Sequence, residues 1–418
     1  MLLLYRIIIF IVFFFSPLIL VFRLINKKET YESFLDKVGK IKHKRTAKGK
    51  LIWFHGSSVG EILGVIPLIE KLENKKDIKQ ILITSNTLSS SKIISNLNLK
   101  KVVHQFFPID TNFLSKNFIK FWKPDLAIFI ESEFWPNMIL EIKKKKIPLI
   151  LLNARFTKKS FNRWKSVKYF SKLIISKFDL CLTQNDETKK YLQRLGAHKI
   201  KKAGNLKFCD SVSSISINKY EKVILKKFLN SKKILFCAVS THYDEEIFCG
   251  KIHKDSKNIF NNITTIIIPR HINRSIEIKN DLEKMGLKVQ LHSSSQKLNV
   301  NTDIYLVDTY GETLKFLNIS KIAFLGGSLV DYKGHNPMEA ARLGIKILHG
   351  RHISNHKEAY KLLKRINISK KINNIREALF FIKKNIYKNK KSKKTKKQLN
   401  KIGKTILLSN FKETCRYI

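Results

Sequence analysis

At 418 residues the chain is too long for one ordinary domain, and two domains of roughly 150 to 200 residues are the natural division. With 44% hydrophobic residues it can bury a real core, and a balance of 81 Lys and Arg against 32 Asp and Glu, net +49, points to an anionic partner, either nucleic acid or a membrane surface. Five cysteines, odd in number and without a CxxC pair, exclude a disulfide framework and a cysteine zinc site, and read as reduced structural thiols in a cytosolic compartment.

The first element is "LLLYRIIIFIVFFFSPLILVFRLI", Leu2 to Ile25. Its uninterrupted part is on the short side of the roughly 17 to 25 residues that span a bilayer. Leu2 to Tyr5, with Arg6 snorkelling, bring it into range. Pro17 would kink it. No small-residue cleavage site follows, so residues 1–26 are expected to form an uncleaved anchor, spanning the bilayer or lying in its interface. Arg23, Lys27, Lys28 and the basic body beyond place the rest of the chain on the cytoplasmic face of the inner membrane.

Strand-like and helix-like stretches then alternate. Leu51–His55, Gln80–Thr84, Val102–Phe107, Leu126–Ile130, Pro148–Asn153 and Leu180–Thr183 read as strands of a first doubly wound α/β domain, residues 27–210. The Ser-rich stretch around 211–222 reads as a linker. Alternation resumes in a second such domain, 223–418, with strands at Ile234–Val239, Thr265–Ile268, Lys288–Leu291, Ile304–Val307, Ile322–Leu325 and Lys346–Leu348. Its basic end, from Lys383, reads as a solvated helix face or a contact for anionic lipid headgroups. There is no GxxxxGK[ST], no GxGxxG and no DxD triplet, so neither a P-loop, an ordinary dinucleotide fingerprint nor an acidic metal clasp is present.

Polar clusters gather just after predicted strands, where ligands bind in such sheets. Glu61, in "HGSSVGE", reads either as a first-turn acid complementing a helix dipole or as a general base whose ionised form the helix start favours. Glu131 and Glu133, two apart at a strand end, are expected to point to opposite sides, one into the cleft and the other toward a Lys or Arg. Arg270, in "PRH", is a fork suited to phosphate oxygens or a structural ion pair, and His271 reads as a satisfied polar residue. In "GGSLVDYKGHNPMEAA", Asn336, Pro337 and Glu339 fit N-cap, N1 and N3 of a helix whose start could take a phosphate.

Taken in order, "WFHGSSVGE", "ESEFWPN", "NARFTKKS", "GNLKFCD", "STHYDEE", "PRH", "GET" and "GGSLVDYKGHNPMEAA", after an apolar N-terminus, resemble the Kdo transferase family, the 3-deoxy-D-manno-octulosonic acid transferases of lipid A assembly, over nearly the whole chain. The resemblance implies a GT-B fold, two Rossmann-like domains facing a cleft, with the acceptor on the N-terminal domain and a CMP-sugar on the C-terminal one. It implies CMP-Kdo as co-substrate, a lipid A precursor as acceptor, an anionic inner-membrane surface as partner, and no metal or other cofactor. By it Glu61 is the general base, and Glu131 and Lys207 stabilise the transition state. Pro269, Arg270, Tyr310, Gly311, Glu312 and Asn336, Pro337, Met338, Glu339 bind CMP. Two departures, Tyr332-Lys333 where relatives are smaller and "HGSS" where an alanine-rich form is commoner, imply altered fit rather than lost chemistry. Rival readings are a membrane-associated GT-B transferase using a UDP-sugar, and a GT-B-fold sugar-nucleotide epimerase. A nucleic-acid partner is not expected, since the basic tail carries almost no aromatic residue for stacking beyond Tyr387.

Overall fold

Where both faces of a strand are covered by helices, its residues form a near-continuous apolar run, and that is how the central strands of this chain read. A computed structural model of the protein describes all residues except 47, 98, 210–225, 227, 229, 232, 295–298, 300 and 388–392. The expected linker 211–222 lies outside the described residues. The chain divides into two units, Met1–Val212 with Ile402–Ile418, and Ser213–Lys401.

The first unit holds a seven-stranded sheet, every neighbouring pair parallel: β1 Lys50–His55, β2 Ile78–Ser85, β3 Val102–Phe106, β4 Leu126–Ile130, β5 Leu149–Ala154, β6 Leu180–Thr183 and β7 Ile200–Lys202. Their order across the sheet is β3-β2-β1-β4-β5-β6-β7. Its helices are α1 Leu2–Ile25, α2 Tyr31–Lys37, α3 Val59–Glu73, α4 Leu88–Ser95, α5 Asn112–Trp122, α6 Pro136–Lys144, α7 Lys158–Ser166, α8 Lys168–Ile175 and α9 Asp186–Leu195. Side chains alternate between two layers, as the pleat requires. Leu51, Trp53 and Phe129 pack with Trp122 of α5, Ile139 of α6 and Ile175 of α8. Ile52, Phe54 and Ile128 pack on the other side with Ile62, Ile66 and Ile69 of α3.

The second unit repeats the plan with β8 Ile234–Thr241, β9 Ile263–Pro269, β10 Val289–Leu291, β11 Ile304–Leu306, β12 Ile322–Leu325, β13 Lys346–His349 and β14 Ser369–Lys371, again all parallel, in the order β10-β11-β9-β8-β12-β13-β14. Its helices are α10 Glu245–Lys257, α11 Ser275–Lys284, α12 Thr313–Ile319, α13 Met338–Arg342, α14 Lys357–Arg365, α15 Ile375–Ile386 and α16 Lys393–Cys415, whose last part falls in the first unit. β7 and β14, the two strands without a sequence signal, are three-residue edge strands reading IKK and SKK. Lysines on short edge strands guard against sheet extension, and they erase the apolar run.

The basic C-terminal stretch, expected wholly in the second domain, divides. Ile406, Leu407 and Phe411 pack on the α3 layer of the first sheet. Asn410 Nδ2 donates to the Ala203 carbonyl at 3.3 Å, and Lys201 pairs with Glu413 at 2.7 Å. Gly204 takes a φ of +84°, and a Cβ on it would stand 2.8 Å from Ile406 Cγ1, so a side chain here would push the helix away. The apolar residues of this helix recur at helical spacing, but the lysines around them dominate the composition. Deleting residues 402–418 removes these contacts and is expected to cost the first unit about 3–6 kcal/mol. Calorimetry should show its transition lowered and that of the second unit unmoved; an unmoved first transition would contradict the packing role.

Candidate active site

A parallel α/β sheet offers a crevice beyond its carboxyl edge where the strand order reverses. In the first sheet that point lies between β1 and β4. His55 and Phe129 are register partners there, so the turns after the two strands stand side by side.

β1 ends at His55, and the chain turns through Gly56 and Ser57 into α3, with Ser58 at the N-cap. Glu61, third residue of the helix, folds back over its start. Its Oε2 accepts the Ser57 N–H at 2.7 Å and its Oε1 the Ser58 hydroxyl at 3.0 Å. The structural role of a first-turn acid is therefore real. Its ionised form is not favoured, however, as the helix position alone had suggested. Burial, then Glu133, then Glu131, push its pKa from the ordinary 4.5 up to about 7, outweighing the two serine donors.

Glu131 and Glu133 take different partners, and one of them, Glu131, pairs with a lysine as the spacing reading expected. Glu131 has φ 58°, a left-handed backbone that ends the strand, so the alternation of β4 stops before it. Both carboxylates act on Glu61. Glu131, only 8% exposed, pairs with Lys207 at 2.5 Å. Glu133 accepts the Ser57 hydroxyl at 2.7 Å and the Trp135 indole N–H at 2.9 Å, and lies 3.4 Å from His55 Nε2. Burial pushes its pKa up, but His55, Ser57 and Trp135 together hold it below the usual carboxylate range.

Lys207 stands on the single 3-10 turn Leu206–Phe208. Asn153 Oδ1 accepts the Leu206 N–H at 3.0 Å, and Asn205 Oδ1 the Lys207 N–H at 2.9 Å, which fixes that turn. The lysine stem crosses α3 at Gly64, where a Cβ would meet its Cγ at 3.0 Å. Gly64 is three residues after Glu61 and so shares its face of the helix. Glu61, Glu131 and Lys207 are thus brought together, as expected. Sequence reasoning missed the supports: His55, Ser57, Asn86, whose amide donates to Ser57 Oγ at 3.0 Å, and Asn153. Of these His55 and Ser57 lie in "HGSSVGE" and Asn153 opens "NARFTKKS", clusters that marked strand ends without giving these residues a role, and Asn86 left no signal.

In the second unit the order reverses between β8 and β12. Glu245, first residue of α10, accepts four backbone N–H groups: His242 and Gly327 on Oε2 at 3.0 and 2.6 Å, Ser328 and Leu329 on Oε1 at 3.0 and 2.9 Å. This carboxylate, which the "STHYDEE" motif contained unremarked, ties the loop after β8 to the loop after β12. Arg270 follows Pro269 at the end of β9 and its N–H donates to the Thr241 carbonyl at 3.0 Å. His242 stacks on Tyr332 at 3.9 Å and meets His335 at 3.2 Å between their Nε2 atoms. Tyr332 thus has a packing role. Burial, then His335, His271, Arg270 and Arg274, lower the His242 pKa to about 4, so the His242 ring is neutral near pH 7 beside the two arginines.

The helix expected after Asn336 is shorter and begins later. Met338–Arg342 is five residues, Pro337 occupies the cap, and Glu339 is the second helical residue rather than the third. Asn336 Oδ1 accepts the Met338 N–H at 3.1 Å. So short a helix adds little dipole. Tyr310, 77% exposed, Gly311, at φ +88°, and Glu312, buried and paired with Lys315 at 3.2 Å, stand beyond β11, the neighbour of β9. Among the described residues no group of three or more His, Cys, Asp or Glu side chains is placed to hold a metal ion.

A family model described as 3-Deoxy-D-manno-octulosonic-acid transferase (kdotransferase) matches residues 32–210. A 3-deoxy-D-manno-octulosonic acid transferase of Rickettsia prowazekii is 34% identical over 340 residues, covering 81% of this chain and 73% of the relative. One of Haemophilus influenzae is 28% identical over 361 residues, 86% and 83% of the two chains. Among solved structures, a UDP-GlcNAc 2-epimerase of Neisseria meningitidis bound to UDP-GlcNAc is similar with a TM-score of 0.58, over 87% of this chain and all of that one, at 14% identity. That likeness is one of fold, and with the two parallel sheets it gives the chain the GT-B class of architecture.

Two measurements follow from this geometry. The Glu61 carboxyl, followed by carbon-13 NMR, should titrate with a midpoint about 7, and at lower pH in Glu133→Gln. Because the fold keeps a proton that the unfolded chain has released, this group's contribution to stability should decline as pH rises from 4.5 to about 7. A midpoint at the ordinary value would refute the crowding. Glu245→Ala should lower the urea-derived stability by about 2–5 kcal/mol, since it strands four backbone donors; a loss under a tenth of that would show that water takes its place.

Proposed function

This chain belongs to the Kdo transferase family, and from that premise we propose that it moves Kdo from CMP-Kdo to a lipid A precursor, lipid IVA, by a single inverting displacement that uses no metal, with Glu61 as general base. What supports the reading is the Glu61 carboxyl itself, raised to about 7 beside the Glu131–Lys207 pair. A base of that pKa is partly ionised at neutral pH yet basic enough to draw a proton from a sugar hydroxyl. In this reading Glu61 takes that proton as the acceptor oxygen bonds to the anomeric carbon of Kdo. The bond from that carbon to the CMP phosphate oxygen breaks, and its electron pair leaves with CMP. Glu131 holds Lys207, and the lysine ammonium answers the negative charge of the transition state.

On the donor side we assign the phosphate to Arg270, whose exposed guanidinium lies among His242, His271 and His335. Pro269, Tyr310, Gly311, Glu312 and Asn336 to Glu339 are assigned to the rest of CMP. The five-residue helix after Pro337 moves the burden of charge stabilisation from a helix start to the arginine. The acceptor is a lipid, and one helix, Leu2–Ile25, with a mean hydropathy of 2.7, is long and apolar enough to meet a membrane. We place the enzyme at the cytoplasmic face of the inner membrane, drawn by its basic surface to anionic headgroups. The readings with a UDP-sugar, as transferase or epimerase, are left with a likeness of fold alone.

The deciding experiment incubates the detergent-solubilised protein with CMP-Kdo and a tetraacylated lipid A precursor and weighs the product. A gain of whole Kdo units is expected; no gain from protein that binds CMP would move the acceptor elsewhere. Glu61→Gln should retain CMP binding and lose about 10²–10⁴ of kcat, together with the limb of the pH–rate profile near 7. Full turnover by this variant would remove the base from Glu61.

A further inference from the structure

α1 is apolar almost all round, yet it does not stand clear of the first unit. The residues that the protein covers are Leu2, Tyr5, Ile9, Phe13, Ser16 and Leu20, with Arg6 beside Tyr5. Their spacing of three, four, four, three and four marks one stripe along nearly the whole helix. Polar contacts hold both ends of that stripe. Near the start, the Tyr5 hydroxyl donates to Asp110 Oδ2 at 2.7 Å and Arg6 Nε to Asn137 Oδ1 at 3.0 Å. Near the end, Arg23 pairs with Glu29 at 3.0 Å, and Glu29 with Lys37 of α2 at 2.6 Å. α2 is itself tied to β3, since Asp36 Oδ2 accepts the Phe106 N–H at 2.9 Å.

Arg6 and Arg23 are 17 positions apart, about 26 Å along a helix, close to the roughly 30 Å of a hydrocarbon core. A helix crossing the bilayer would carry one of these ends to the far surface. The unit that both ends touch would have to follow it, taking Asp110, Asn137 and the exposed Lys116 and Lys120 of α5 into hydrocarbon. The other face of α1 remains open, with Phe10, Phe14 and Leu18 exposed. Its neighbours extend that face. A groove of ≈ 700 Å³ between α1 and the start of α5 has apolar walls from Phe10, Phe13 and Phe113, with Arg6 and Lys116 beside them. On α8, Phe170 meets the Tyr5 ring at 6.2 Å and Tyr169 is 92% exposed next to Lys168. Aromatic and aliphatic side chains fringed by lysines and arginines match an anionic lipid surface.

We propose that α1 does not cross the membrane but lies in its surface plane, its covered stripe on the first unit and its open face in one anionic phospholipid leaflet, with both helix ends on the side of the folded units. This deepens the membrane contact proposed above; it stands on the contacts of α1 and not on the transfer chemistry.

The test uses the full chain carrying a protease-cleavable tag before Met1. In inverted inner-membrane vesicles, added protease should remove the tag; in intact spheroplasts it should not. Cleavage in spheroplasts would mean a spanning helix and would overturn the proposal. In parallel, purified protein should float with vesicles of phosphatidylethanolamine and phosphatidylglycerol. Phe10→Asp and Phe14→Asp should each lower the bound-to-free ratio about tenfold or more, with melting temperature unchanged. No flotation, or lipid-free dimers that these substitutions split, would assign the open face to something other than lipid. Transfer of Kdo to a detergent-dispersed acceptor by the same variants reports on the reaction separately, so that either idea can fail alone.

Discussion

Three carboxylates, Glu61, Glu131 and Glu133, crowd the edge between β1 and β4 with one lysine close to them, and the first unit is built to keep them there. Like charges in partly buried surroundings do not gather unless each is held. Glu133 is held by an imidazole, a hydroxyl and an indole, Glu131 by Lys207, and Glu61 by the start of its own helix. Glu61, with only neutral donors, is raised by burial and by its two acidic neighbours, whereas the donors of Glu133 outweigh its burial. The arrangement therefore moves two chemically similar groups in opposite directions by what each touches, the Glu61 pKa up and the Glu133 pKa down.

The arrangement depends on backbone that only the fold can hold. Glu131 and Asn153, at the ends of β4 and β5, both have left-handed φ, 58° and 54°. Neither is glycine, so each conformation costs energy that the surrounding sheet must offset. At Glu131 it ends the strand, and the carboxylate beyond it meets Lys207. At Asn153 it leaves the amide oxygen to receive the Leu206 N–H, which sets the turn carrying Lys207. Gly64 completes the device by leaving room on α3 for the lysine stem.

Much of this was legible in the residues. Parallel strands covered on both faces announce themselves as apolar runs, and polar clusters after those runs marked Glu61, Glu131, Lys207 and Arg270. What was not legible follows from the kind of interaction concerned. The edge strands Ile200–Lys202 and Ser369–Lys371 are too short and too charged to show a pattern. The return of Ile402–Ile418 to the first unit is a long-range contact between a lysine-rich stretch and a distant layer. Strand alternation, which puts residues two apart on one face, does not reach Glu131 and Glu133, because the backbone leaves the strand at the left-handed φ of Glu131; which partner each meets, Lys207 or His55, is a long-range matter. The pKa of Glu61 depended in turn on where those two carboxylates lie, so an argument from helix position alone had the wrong sign.

Asp110 joins the apolar N-terminus to the carboxylates. It is buried, and it accepts the Tyr5 hydroxyl, the Ser115 hydroxyl at 3.1 Å, and the N–H groups of Asn137 and Met138 at 3.0 and 2.8 Å. The last two belong to the first turn of α6, which starts directly after the segment Glu131–Trp135. Asn137 in turn receives Arg6. Through one buried carboxylate and one amide, the first turns of α1 thus hold the same backbone that places Glu131 and Glu133. Removing α1 would leave Asp110 short of a donor and Asn137 short of another, in a site where unpaired polar groups are costly. For this chain the apolar helix is part of the first unit's polar framework as well as its apolar surface.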